Sequence, residues 1–316
     1  MSEKIATRES YGKALVELGE INKDVVVLDA DLSKSTKTAE FAKKYPDRFF
    51  NMGISEQDLI GTAAGLATCG KIPYASSFAI FATGRAFEQI RNSIAYPRLN
   101  VKIAATHAGI TVGEDGATHQ SVEDIAIMRS IPGMVVINPA DDVEARAAVK
   151  AACEYKGPVY IRLGRMGVPV IYDDKSYRFE IGKGIELREG SDVTIVATGI
   201  MVAAALEAHE ELKKKGISAR VIDIHTIKPI DQELIVKAAW ETGAIVTAEE
   251  HSVIGGLGSA VCEVVSERVP VPVRRVGIKD VFGQSGKPDE LLKLYHLTPE
   301  DIVEEALKAL DIKKRE

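Results

Sequence analysis

Val101-Lys-Ile-Ala-Ala-Thr-His107-Ala-Gly109-Ile-Thr-Val-Gly113-Glu114-Asp115-Gly116-Ala-Thr118-His119-Gln120 is the stretch on which the reading of this chain turns. Residues 101–106 form a short apolar run of strand type, and the glycines at 109, 113 and 116 then break any regular element. The pattern is a loop at the carboxyl end of a strand, where α/β proteins place their chemistry. Imidazoles at 107 and 119, carboxylates at 114 and 115 and the Thr118 hydroxyl crowd into it, in a chain with only six histidines. The bland alternative is a polar surface turn, and metal ligation is the rival functional reading. Zinc usually takes at least three protein ligands, and Cys69, Cys153 and Cys262 lie far from this loop in sequence. Proton transfer and sugar-hydroxyl binding are therefore the stronger expectation, and no metal ligand is assigned.

Outward from this loop, strand and helix alternate. Helix 8–19 precedes a strand, Val25-Val-Val-Leu-Asp-Ala-Asp, and helix 39–44 leads to Phe49-Phe-Asn-Met. A small-residue helix at 58–69 follows, then a long helical stretch over 77–94, strands at 101–106 and 135–137, helix 141–154 and strand 158–163. Such alternation predicts an α/β fold with a doubly wound parallel sheet. Residues 166–190 break the rhythm and read as a linker between a domain at 1–165 and a smaller α/β domain at 191–316. In the second domain, Ala248-Glu249-Glu250-His251 ends a strand, and Gly255-Gly-Leu-Gly258 opens a helix that offers itself as an anion cradle. That stretch reads as structural more than functional, because it departs from the dinucleotide fingerprint.

With 316 residues, the chain is too long for one ordinary core. Its net charge of −6 argues against general nucleic-acid or membrane-surface binding. The odd, scattered cysteines, the missing signal-peptide core and the lack of a membrane-spanning apolar run lead to the expectation of a cytoplasmic protein.

Two further segments carry candidate chemistry. In Gly53-Ile-Ser-Glu56-Gln, Glu56 sits at a helix start, where it either complements the helix dipole or serves as a carboxylate in a dry crevice that favours proton sharing. In Ser76-Ser-Phe78-Ala-Ile-Phe81-Ala, Phe78 and Phe81 are three apart and share one face of a helix, as core residues or as a ligand platform. Gly61, Ala63, Ala64 and Gly65 on the small-residue helix indicate close packing, within the chain or against another subunit. Arg8, Ser35 and Arg165 each fall at a strand–loop junction, and arginine suits bidentate capture of a phosphate.

Gly53-Ile-Ser-Glu56-Gln, Ser76-Ser-Phe78-Ala-Ile-Phe81-Ala, Thr106-His107 and Gly113-Glu-Asp-Gly-Ala-Thr-His119-Gln, in this order, resemble the C-terminal half of transketolase over essentially the whole chain. The resemblance implies a pyrimidine-binding domain of the thiamine diphosphate-binding fold followed by a transketolase C-terminal domain. It implies thiamine diphosphate as cofactor, with Glu56 hydrogen-bonding the aminopyrimidine ring and Phe78 and Phe81 forming the wall on which that ring stacks. Asp31 falls where the family contacts cofactor or partner chain. His107, Asp115 and His119 would line the donor ketose, the histidines passing protons during carbon–carbon cleavage, while Arg8, Ser35 and Arg165 would take the sugar phosphate. The family's third aromatic is Gly84 here, which reshapes the pyrimidine pocket.

Gly-Asp-Gly, with which such enzymes hold the diphosphate and Mg²⁺, does not occur in this sequence. The resemblance therefore implies a split enzyme of the pentose phosphate pathway: this subunit, a separate N-terminal transketolase subunit holding the diphosphate and Mg²⁺, and an α₂β₂ assembly. A pyruvate-using relative, of the 1-deoxyxylulose-phosphate synthase or 2-oxo-acid dehydrogenase β-subunit kind, is the rival enzyme. A non-catalytic regulatory or binding module is the rival outside catalysis. The second domain reads as scaffold and interface.

Overall fold

The computed structural model describes residues 4–314. In chain order its strands are β1 (Lys4–Ala6), β2 (Val25–Asp29), β3 (Phe49–Asn51), β4 (Ile72–Ser76), β5 (Lys102–Ala105), β6 (Val135–Ile137) and β7 (Val159–Arg162). They continue with β8 (Gly167–Pro169), β9 (Ile185–Arg188), β10 (Val193–Ala197), β11 (Ala219–Asp223), β12 (Thr226–Lys228), β13 (Ile245–Ser252) and β14 (Val273–Ile278). The first sheet has the order β12-β6-β7-β5-β4-β2-β3 and is parallel except for β12. The second, β14-β13-β10-β11-β9, is parallel except for β9.

β2 shows why the expected doubly wound sheet forms. Val25 and Val27 pack on one face with Tyr11 and Leu15 of the helix Thr7–Ile21, while Val26 and Leu28 pack on the other with Leu59 and Ile60 of the helix Glu56–Thr68. A strand covered on both faces is apolar without alternation, as this one is. From β2 the chain goes to β3 on one side and then crosses to β4 on the other, so the switch point lies between β2 and β4. Ligand crevices of such sheets open at the carboxyl ends of the strands there.

Two features depart from the expected organisation. β12 comes from the second half of the chain, yet it pairs antiparallel with β6 at the edge of the first sheet. One hydrophobic cluster also runs from Met128 and Val136 to Ile222, Ile245 and Val261, so the halves share a core. Residues 166–190 carry β8, which pairs with β1, and β9, which edges the second sheet. The stretch between these strands is strapped down. Asp141 accepts from the Ile171 and Tyr172 amides, Tyr172 donates to Asp223 and Tyr177 to Glu144. Among the described residues, no helix is long and apolar enough to cross a membrane.

Glu144 and Asp223 are both fully buried and close enough across this junction for the charge of Asp223 to disfavour that of Glu144. Two buried like charges repel, so the neutral form is favoured on at least one of them. Burial pushes both well above the ordinary carboxyl range. A folded pKa raised above the unfolded value contributes stability that is complete below about pH 4 and is lost as pH rises through the raised value. The thermal midpoint of the wild type should therefore fall as pH rises from 5 to 8, and that of Asp223→Asn should fall less. Parallel melting curves for the two proteins would refute this account.

Candidate active site

The turns after β2, β3, β4, β5 and β7 converge at one end of the first sheet. After β3, the chain turns into the helix Glu56–Thr68, and its first residue, Glu56, points into the protein with only 4% of its surface exposed. Ser77 Oγ donates to Glu56 Oε1 at 3.2 Å, and Arg85 Nη1 reaches both carboxylate oxygens at 3.2–3.3 Å. After β4, the chain stays extended through Phe78, which bridges to Thr106 in parallel fashion; the Thr106 carbonyl accepts from the Ala79 amide at 2.7 Å. Phe78 thus lies before the helical stretch and not within it. The expected helix over 77–94 is instead two π-helical segments, Phe81–Arg85 and Ile90–Ala95, around a short helix Phe87–Gln89. Each π turn takes in one residue more than an α turn, and such turns are frequent at functional sites. Phe78 and Phe81 still stack, with centroids 5.8 Å apart. A Cβ on Gly84 would meet nothing within 4 Å, and the Arg85 guanidinium lies 4.0 Å over the Phe81 ring.

His107 begins the loop after β5 with a left-handed φ of 57° and stacks on Phe78 at 3.8 Å. Its Nδ1 is 2.8 Å from Thr106 Oγ1 and its Nε2 is 3.1 Å from Arg8 Nη1. Arginine only donates, so Nε2 is the accepting nitrogen and Nδ1 carries the proton, which it gives to Thr106. Burial, then Arg8, Arg165 and His119, push the His107 pKa down to about 3, which keeps the ring neutral at physiological pH. His119, at the far end of the loop, meets the Phe81 ring edge-on at 5.2 Å.

Arg8 also donates to the Ser35 carbonyl at 3.0 Å, while its Nε is buried without a partner. Burial and the nearby Arg165 lower its pKa, so two guanidinium groups face one region. Arg165 bonds the Val112 carbonyl and lies 3.6 Å from Asp115 and 3.8 Å from Glu114. Glu56, Phe78, Phe81, His107, His119, Arg8 and Ser35 are thereby linked in one chain of contacts, and the Arg165–Asp115 pair lies near enough for the Arg165 charge to act on Arg8 and His107. Asp31 stands apart from it. It has a φ of 62° on the exposed turn after β2, and its hydrogen bonds run to Asn51. Among the described residues, no group of three His, Cys, Asp or Glu side chains is arranged to hold a metal ion.

Residues 3–170 match the transketolase pyrimidine binding domain, and residues 182–302 match the transketolase C-terminal domain. The chain belongs to the transketolase family. A putative transketolase C-terminal section from Methanocaldococcus jannaschii is 56% identical over 305 residues, covering 96% of both chains. The 6-deoxy-6-sulfo-D-fructose transketolase subunit SqwH from a Clostridium species is 48% identical over 299 residues, covering 95% of this chain and 92% of that one. A solved structure of a split gene transketolase, described as an inactive beta4 tetramer, superposes with a TM-score of 0.92 at 63% identity, covering 98% of this chain and 99% of that chain. The similarity to these transketolase sections and subunits runs end to end, so both expected domains are present in the order the sequence implied.

Arg85 escapes the reading of the sequence, which places Glu250 at a strand end without its contact to the loop. Arg85, 29 residues from Glu56, pairs with its carboxylate, and no periodicity announces such a pairing. Glu250, from β13, lies buried beneath the His107–His119 loop, where its Oε1 accepts from the Thr111 amide at 2.7 Å. The helix start at Gly255–Gly258 is not open to an external anion. Glu249 fills it, accepting from the Leu257 and Gly258 amides at 2.7 and 2.8 Å.

Proposed function

We propose that this chain is the C-terminal subunit of a split transketolase that moves a two-carbon ketol unit from a ketose phosphate to an aldose phosphate. The observation that carries the reading is the unbroken line of contacts from buried Glu56 through Arg85, Phe81, Phe78 and His107 to Arg8. A buried acceptor carboxylate beside aromatic faces suits a flat, nitrogen-rich ring, so the residues present fit the aminopyrimidine of thiamine diphosphate. When bound, that cofactor supplies an electron sink for carbon–carbon cleavage. Glu56 would hold a proton at a carboxylate oxygen against the ring, with Phe78 and Phe81 as its stacking wall. Neutral His107 would orient a substrate oxygen through Nε2 once Arg8 turns to the substrate, and His119 would face it from the other end of the loop. Asp115 would accept from a sugar hydroxyl. Arg8 and Arg165, whose guanidinium charges act on one region with Ser35 beside Arg8, would grip the anionic end of the sugar.

Asp31 is kept in this reading as a contact to cofactor or partner chain, from its place on the turn after β2. The diphosphate and Mg²⁺ would be held by a separate N-terminal transketolase subunit, with this chain forming α₂β₂ alongside it and self-associating without it. The division into 1–165, a linker at 166–190 and 191–316, and a cytoplasmic place of work, belong to the same reading. The free cysteines are compatible with that compartment.

A coupled ketol-transfer assay tests it, with thiamine diphosphate, Mg²⁺, xylulose 5-phosphate and ribose 5-phosphate, on the chain alone and mixed with the N-terminal subunit. The SqwH relative is named for a sulfonated sugar, so a sulfonated ketose belongs in the donor panel. Activity only in the mixture is the expected result. Activity of the chain alone would refute the shared site, and turnover of pyruvate in place of ketoses would refute the substrate class.

A further inference from the structure

The loop from His107 to Ser121 is held from within and from both domains. His107, Gly109, Gly113 and Gly116 have φ of 57°, 81°, 86° and 77°, a region that costs L-residues energy and leaves glycine free to leave it. The first sheet supplies few restraints: the Ala108 amide donates to the Leu163 carbonyl at 3.3 Å and the Gly109 amide to the Ser121 carbonyl at 2.8 Å. Within the loop, Gln120 Nε2 donates to the Ile110 and Gly113 carbonyls at 3.1 and 3.3 Å, and Arg165 bonds the Val112 carbonyl. The second domain adds a grip of its own. Ser285 Oγ donates to the Glu114 carbonyl at 2.6 Å, and Gln120 Nε2 donates to the Gln284 carbonyl at 2.9 Å. Glu250 lies deepest. Its Oε1 takes the Thr111 amide, and its carboxyl is pressed so closely on Gly109 that a Cβ there would sit 2.2 Å away. Arg162 in turn donates to the Glu250 carbonyl at 2.8 Å, tying this point of the second domain to β7.

We propose that Glu250 is a positioning residue for sugar binding: it sets the height and register of the loop that presents His107, Asp115 and His119, without touching substrate itself. The inference rests on the sugar-binding reading of that loop. It gives the second domain a part in substrate recognition. Pyrimidine binding should change far less than sugar binding, because Glu56 and the Phe78 and Phe81 backbones are held by other elements, although His107 and His119 pack on those rings.

The test uses the two-subunit complex, with the wild type measured first. Glu250→Ala removes the acceptor and opens space under Gly109, while Glu250→Gln keeps an oxygen for the Thr111 amide. Glu250→Ala should raise KM for the donor ketose about tenfold, the scale of one lost buried hydrogen bond. Its Kd for thiamine diphosphate should stay within about twofold of the wild type. Amide exchange should speed up over residues 107–121 and not over 53–60. Glu250→Gln should restore most of the KM. Gly109→Ala pushes the loop from the opposite side, leaves the second domain untouched and should give the same signature; it decides the matter if Glu250→Ala does not fold. An unchanged KM in the folded variants, or equal losses of cofactor and sugar affinity, would overturn the proposal while leaving the function intact. A wild-type complex with no ketol transfer would instead overturn the function, and this inference with it.

Discussion

Glu56→Gln should lower kcat for ketol transfer by about 10²–10⁴-fold, the usual worth of a positioned acid or base, and leave KM for the donor ketose within a few-fold of the wild type. The split follows from the geometry. Glu56 is one of the few buried carboxylates at this end of the first sheet, and its neighbours are Ser77 and the half-exposed Arg85. Glutamine keeps its length and one acceptor oxygen, so the Ser77 hydrogen bond survives. What disappears is the charge, and with it the capacity to hold a proton in a water-poor crevice. The sugar contacts expected from His107, Asp115, His119, Arg8 and Arg165 lie on other segments and are not disturbed. Steady-state kinetics of the reconstituted complex checks this, with circular dichroism as control for the fold. Full kcat in the variant would remove Glu56 from the chemistry and leave it as a helix-terminus carboxylate complementing the dipole.

Much of this arrangement is legible in the sequence, because the physics behind it is local. An apolar run without alternation, as in Val25–Leu28, indicates a strand covered on both faces. The glycine-rich stretch after Val101–Thr106 must be a loop, and its place after a strand puts His107 at the carboxyl end of the sheet before any coordinates are known. Non-local features are not legible. The apolar spacing over 77–94 suits an α-helix as well as the π segments found, since periodicity over so few turns does not separate them. Phe78 is drawn out of that helix by its bridge to Thr106, a partner 28 residues on. The edge strand β12 pairs with β6 rather than with its neighbours in sequence. The pairing of Arg85 and the seat of Glu250 under the loop are found through tertiary contact alone.

Asp124→Ala should destabilise the fold by about 3–5 kcal/mol, because it leaves a buried guanidinium without its counter-charge. Asp124 and Arg162 are both buried where the two domains meet, Nε to Oδ2 at 2.8 Å, and Tyr160 donates to the same oxygen at 2.6 Å. Burial pushes the Asp124 carboxyl up, but Arg162, His251 and the hydrogen bonds from Arg162 and Tyr160 together hold it below its ordinary range. With the folded pKa depressed, this stabilisation is complete above about pH 4 and is lost as pH falls through the depressed value. The alanine variant suffers the loss at every pH, and its thermal midpoint should drop on the order of 10 °C. Arg162 also donates to the Ser121 and Glu250 carbonyls, so its displacement loosens both ends of the loop clamp. The companion variant Asp124→Ala with Arg162→Met separates charge from packing. Removing both ions should recover most of the lost midpoint, since the larger cost is the stranded cation and not the missing pair. A double variant no more stable than Asp124→Ala would show that the hydrogen bonds of Arg162 across the domain junction, rather than its neutralisation, keep the two domains together.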